Sequence, residues 1–258
     1  MASGIWGDFR MLRQDRSVLG TGWMLKKIRE ADAVVALNQQ IFEETVELGV
    51  AKEKIFHIPN GVEMKSDGHN RSYALGDPFV ITFVGRLHPQ KNVGMLLLAF
   101  KLLLQEKPHL PLRLKLAGTG PSERRLKALA DELSISQQVE FLGHVNDVGD
   151  LLERSDLFVL PSISEGISNA LLEAMAHGLP CVVTNIPGNS EVIQDGRNGI
   201  VIQPEDAAGL ARALAGMADD EEFRRKVGRQ ARLTVETCYS LTKVTNQYIR
   251  LYERLLQQ

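Results

Sequence analysis

Residues 157–178 read "LFVLPSISEGISNALLEAMAHG". Four apolar residues in a row, Leu157 to Leu160, stop at Pro161. A polar loop with Gly166 follows, and Ser168 stands where a helix N-cap belongs. The helical pattern after it ends at His177 and Gly178. An unbroken apolar strand suits a sheet covered on both faces, which is how parallel strands lie. Strand, polar loop and returning helix form the repeating unit of a doubly wound α/β domain.

The unit recurs outward in both directions. "VITFVG" (80–85), "LRLKLAG" (112–118), "VEFLG" (139–143), "CVVTN" (181–185) and "GIVI" (199–202) read as further strands. Helical patterns fill the intervals at about 90–106, 121–133, 147–154, 188–194 and 205–217. The predicted fold is a Rossmann-like, doubly wound parallel sheet. Ligands of such sheets bind outside the carboxyl ends of the strands, so chemistry is sought there.

The first strand ends in "VGRLHPQKN" (84–92). Gly85 permits a tight turn and close approach of backbone to a ligand. Arg86 and Lys91 flank that turn just before a helix. Two cations beside a helix N-terminus either make a phosphate site or are ordinary exposed loop cations. The turn "AGTGPSERRL" (117–126) lacks the full dinucleotide fingerprint and reads as strand–helix turn chemistry. In "FLGHVNDV" (141–148), the backbone of Gly143, His144 and Val145 either reads a base edge or merely turns the chain.

Glu173 lies among Leu171, Leu172, Ala174, Met175 and Ala176. Asn169, Glu173 and His177 are spaced by four and share one helix face. By pattern alone that face is either solvated or turned toward whatever the helix N-terminus holds. Position favours the second reading. Glu165 sits at a strand's carboxyl end, and Glu173 lies just over a turn into the next helix. A carboxylate accepts hydrogen bonds from adjacent hydroxyls, which a sugar presents. A phosphate with diols is a sugar nucleotide.

Composition sets limits. The chain has 258 residues, 44% apolar and 24% charged, as a globular protein with a full core does. A net charge of −2 gives no electrostatic reason to expect nucleic acid. Cys181 and Cys238 stand far apart, which favours reduced thiols in the cytoplasm. No secretory pattern opens "MASGIWGDFRMLRQDR", and the most apolar run, "MLLLAFKLLL" (95–104), is too short to span a bilayer. No D-x-D pair occurs, and the six histidines form no convincing metal cluster, so no essential metal is expected.

Three segments are expected. Residues 1–60 read as helix, short strand (33–37) and helix, and 61–238 form the sheet domain. Residues 239–258 are a final helix with Leu241, Val244, Tyr248, Leu251 and Leu255 at helical spacing. The strand "AVVAL" (33–37) is apolar on both faces, and its edges are expected to be open to another chain.

"VGRLHPQKN" followed by "EGISNALLEAMAHG" (165–178) resembles the family 4 glycosyltransferases, retaining enzymes of the GT-B fold. The likeness runs across about residues 57–235, with more in "ADAVVALNQQIFEETVELGV" and "KIFHIPNGVE". It implies that Arg86 and Lys91 hold a donor diphosphate and that Glu165 meets the donor sugar. Glu173 is implied to meet the nucleotide ribose, amides around Ser168, Asn169 and Ala170 the phosphate, and Gly143–Val145 the base. "PGNSE" (187–191) is weakly similar to a further family loop, and "GISNA" departs from the usual glycine- and proline-containing version. The implied donor is a UDP- or GDP-linked sugar, with no further cofactor. The acceptor is a glycan, a lipid-linked or a small molecule, and peripheral membrane association fits the cytoplasmic setting.

A GT-B enzyme places its active site between two Rossmann-like domains, and residues 1–60 resemble only the last part of the first. The chain is therefore expected to carry the donor-binding part of such an enzyme, as a fragment, a truncated product or one chain of a split enzyme. Self-association or a complementary acceptor-domain chain follows from that expectation. Two readings stand beside it: a non-catalytic nucleotide-sugar binding module, and a Rossmann-like scaffold for protein contacts.

Overall fold

The computed structural model describes residues 21–64 and 71–257. The leader expectation for residues 1–16, and part of the polar stretch 64–78, lie outside them. The described residues fall into two compact units, 21–59 with 248–257, and 60–247.

In the larger unit, six parallel strands alternate with helices. They are β3 (Phe79–Val84), β4 (Leu112–Ala117), β5 (Val139–Gly143), β6 (Leu157–Leu160), β7 (Cys181–Thr184) and β8 (Ile200–Ile202). Their order is β5-β4-β3-β6-β7-β8. Counted within the sheet that is third, second, first, fourth, fifth, sixth, the order of a doubly wound Rossmann-like domain. Local sequence sorts the strands. β6 and β7 are buried at every residue and β3 at all but Val84, as strands covered on both faces must be. β4, one place in from the edge, alternates Leu with Arg113 and Lys115, and β5 at the edge buries only Val139.

Helices cover the sheet. α3 (Val93–Glu106) follows β3 and buries seven residues, among them Leu96, Leu97, Phe100 and Leu103. It begins later than the sequence suggests, because Pro89–Lys91 forms a tighter 3-10 turn and Asn92 is left-handed at φ 49°. α4 (Glu123–Glu132), α5 (Val148–Glu153), α6 (Asn169–Ala176), α7 (Pro187–Ser190) and α8 (Ala207–Asp219) follow the next strands in turn. α9 (Glu221–Thr234) carries the buried Arg224. Its guanidinium donates to Ala218 O at 2.9 Å, at the end of α8, and to Tyr73 O at 2.9 Å. Carbonyls left over at a helix end thus find a cation.

In the smaller unit, α1 (Thr21–Glu30), β1 (Val34–Ala36), α2 (Gln39–Glu47) and β2 (Ile55–His57) surround a small core of Ala36, Val50 and Ile55. β1 pairs in parallel with β2, so one of its edges is occupied, contrary to the expectation of open edges. Ile55–His57 escapes sequence reading because three residues carry too little period. The last helix, α10 (Leu241–Leu256), contributes Arg254 to this unit, 5.3 Å above the Phe56 ring. Along its apolar stripe Val244 and Leu251 are buried, Tyr248 and Leu255 half-buried and Leu241 exposed.

Candidate functional site

β3 and β6 are neighbours at the middle of the sheet. From there the strand order runs outward in both directions, which opens a crevice at their carboxyl ends. Two loops meet in it. Lys91, from the loop after β3, forms an ion pair with Glu165, from the loop after β6. Glu165 also accepts from Ser162 Oγ at 2.6 Å, and Ser162 is fully buried. Gln90 ties the same loops twice: its side chain donates to Ser164 O at 3.0 Å, and its carbonyl accepts from Ile163 N at 2.9 Å. Lys91 and Glu165 are thus held together by contacts between both loops.

Close backbone contact explains the glycines. A Cβ on Gly118, which has φ +132°, would stand 1.9 Å from Gly85 O. One on Gly120 would stand 2.3 Å from Leu87 O. The turn "AGTG" therefore presses against the Arg86-bearing loop rather than cradling a phosphate by itself. Gly188, in "PGNSE", lies the same way against the Glu165 loop, with its Cβ position 1.5 Å from Gly166 O. Gly143 (φ +64°) passes its carbonyl to Gly118 N at 2.7 Å. That bond links the base-reading candidates to the same group of loops. His144 is exposed and Val145 half-buried.

Ser168 caps α6, its Oγ accepting from Leu171 N at 3.4 Å. Among the described residues nothing accepts from the amides of Asn169 and Ala170. Such first-turn N–H groups await an outside acceptor and lie at the positive end of the helix dipole. Arg86 is exposed and makes no ion pair with the described residues.

Glu173 is half-buried and, among the described residues, has neither ion pair nor side-chain hydrogen bond. Its carboxyl is raised above the ordinary value, and desolvation by burial is the cause. The face it shares is partly covered. His177 is half-buried too, with Nδ1 2.8 Å from Glu173 O and Nε2 3.8 Å from Glu153 Oε1. Only Asn169 on that face is exposed.

The structure brings Gly85, Lys91, Glu165 and the start of α6 to one end of the sheet, with Gly143–Val145 two strands outward, after edge strand β5 and beyond the "AGTG" turn. Sequence reading missed Ser162 and Gln90, whose types and spacing carry no signal. Among the described residues no group of three or more His, Cys, Asp or Glu is placed to hold a metal. No helix among them is long and apolar enough to cross a membrane.

Known proteins resemble this chain in sequence and fold. The chain is 30% identical over 255 residues to N-acetyl-alpha-D-glucosaminyl L-malate synthase of Bacillus anthracis, covering 94% of this chain and 66% of that protein. It is 35% identical over 185 residues to the UDP-Gal:alpha-D-GlcNAc-diphosphoundecaprenol alpha-1,3-galactosyltransferase of Escherichia coli, covering 68% and 48%. The chain thus spans less than two thirds of the length of these relatives. The fold matches solved GT-B glycosyltransferase structures. Anabaena HepE in complex with UDP and glucose gives a TM-score of 0.79 at 20% identity, covering 90% of this chain and 66% of that one. S. aureus TarM, in complex with fondaparinux, alpha-GlcNAc-glycerol and UDP, also gives 0.79, at 19% identity over 90% and 46%. "Glycosyl transferases group 1" is the family whose pattern matches residues 66–234, and the chain belongs to it.

Proposed function

We propose that this chain carries the donor-binding part of a retaining, family 4 glycosyltransferase that takes a UDP- or GDP-linked sugar. The observation that carries the reading is the Lys91–Glu165 ion pair, which joins two strand-end loops beside the unpaired first-turn amides of α6. In this reading Arg86, Lys91 and the amides of Asn169 and Ala170 hold the diphosphate. Glu173 takes ribose hydroxyls, Glu165 meets the sugar, and the backbone of Gly143–Val145 reads the base. Charge developing on the departing nucleoside diphosphate falls on donors already in place, where it is most stabilised. Lys91 is oriented by Glu165 beforehand, so little side-chain freedom is lost on binding. UDP bound to HepE and TarM supports the donor class.

The reading places the work in the cytoplasm, on an acceptor that is a glycan, a lipid-linked or a small molecule. It also assigns to cations the role a metal plays in other transferases. Nucleoside diphosphate affinity is therefore expected to be the same with and without EDTA, by calorimetry. The test of function is turnover: UDP- and GDP-sugars are offered with glycan and lipid-linked acceptors, and the anomeric configuration of any product is read by NMR. Donor binding by this chain alone is expected, with inefficient transfer, and transfer with retained configuration is expected once the acceptor-binding part is supplied. Binding without turnover would favour a nucleotide-sugar binding module, and no binding would favour a protein-contact scaffold.

Glu173 gives a test of opposite signs. A carboxyl raised by burial favours the folded state while protonated. That contribution is lost as pH rises through the folded value, and the charged form then costs stability. Glu173→Gln is therefore expected to raise the melting temperature of the unliganded chain near neutral pH, with the gain shrinking toward about pH 4. The same change is expected to weaken nucleotide binding roughly tenfold, the worth of one good hydrogen bond. Unchanged affinity would return Glu173 to the status of an ordinary helix residue.

A further inference from the structure

We propose that Asn60 is a positioning residue for the diphosphate, acting through the first turn of α6; the proposal rests on the donor-site reading above. Asn60 Nδ2 donates to Ile167 O at 2.8 Å, across more than a hundred residues of sequence. Ile167 is buried and directly precedes the N-cap Ser168, whose neighbours Asn169 and Ala170 offer the free amides. A buried carbonyl without a donor is costly, so this bond fixes the peptide plane that leads into the helix.

Asn60 is itself held from the other side. Val62 N donates to Tyr239 O at 2.9 Å, and Leu241 N donates to Val62 O at 2.8 Å. Between them, a Cβ on Gly61 would lie 3.0 Å from Val244 Cβ and 3.1 Å from Leu241 Cα. Residues 60–62 therefore lie tightly against the start of α10. The Asn60 amide reaches from that anchored backbone to the turn that aims the N–H groups. Removing it leaves the amides present but free to tilt. Phosphate recognition through them then weakens, while contacts of the base at Gly143–Val145 and of the ribose at Glu173, a turn further along α6, remain.

The test separates these two parts of the ligand. Affinities of UDP and GDP are measured by calorimetry, and those of uridine and guanosine by ligand-observed NMR, for the wild type, Asn60→Ala and Asn60→Leu. Leucine keeps the volume without a donor and stands in if the alanine variant fails to fold. The expected result is a loss of about fivefold to tenfold for the diphosphates in both variants and no change for the nucleosides. Equal losses for diphosphate and nucleoside would make Asn60 a general structural residue and overturn the proposal. Unchanged diphosphate affinity would overturn it as well. A wild type that binds neither UDP nor GDP removes the donor-site reading itself, and this inference with it.

Discussion

A chain in which Arg86 and Lys91 are both alanine is expected to bind UDP or GDP about a hundredfold more weakly than the wild type, or worse. Each charge-assisted hydrogen bond is worth about 1.5–3 kcal/mol, and about 1.4 kcal/mol is tenfold in affinity. Two such losses give at least two decades. Arg86 is exposed, so its share belongs at the low end. Lys91 is the more damaging single loss. Its partner Glu165 would stay in the crevice with Ser162 as its remaining contact, a carboxylate facing the incoming phosphate. The order expected by titration calorimetry is wild type, Arg86→Ala, Lys91→Ala, double mutant, from tightest to weakest. Equal binding by wild type and double mutant would remove the diphosphate from this end of the sheet.

The second large effect is structural. Gly188→Ala is expected to lower stability by about 3 kcal/mol or more, since overpacking a rigid site costs 1–3 kcal/mol even where side chains can yield. Here none can. The new methyl would stand 1.5 Å from Gly166 O and 2.6 Å from Glu165 O, both backbone atoms. Either α7 or the Glu165 loop must move, so nucleotide affinity is expected to fall along with the melting temperature. Gly216→Ala is the control. It lies in α8 with nothing within 4 Å of its Cβ position, and alanine there is expected to be neutral or stabilising. A Gly188→Ala chain that melts and binds like the wild type would mean that the two loops are not in the contact described.

Much of the sheet was legible because burial on both faces leaves one kind of sequence. "VITFVG", "LFVLPS" and "CVVTN" have no polar side to mislead, and β3, β6 and β7 lie where they predict. The ends of those strands then located Lys91 and Glu165. Other features were not legible, for physical reasons. Period four puts Asn169, Glu173 and His177 on one face but says nothing of what covers it, and burial of Glu173 and His177 comes from the rest of the fold. A glycine turn looks alike whether it receives a phosphate or another loop, so Gly118 and Gly120 could be sorted only by the backbone opposite them. Ser162 and Asn60 act through single hydrogen bonds to partners that no spacing announces.

The bridge between Val62 and Ser240 has a bearing on how such a protein is put together. It stitches the entrance of the 60–247 unit to the segment just before its exit by two backbone hydrogen bonds. A module whose ends lie side by side can be inserted, permuted or exchanged with little disturbance to its interior. In the sheet domain that closure lies at residue 60, so the segment spliced there can change while the strand ends keep their arrangement. Asn60, at that very splice, is the residue of the join whose side chain reaches the loop leading into α6.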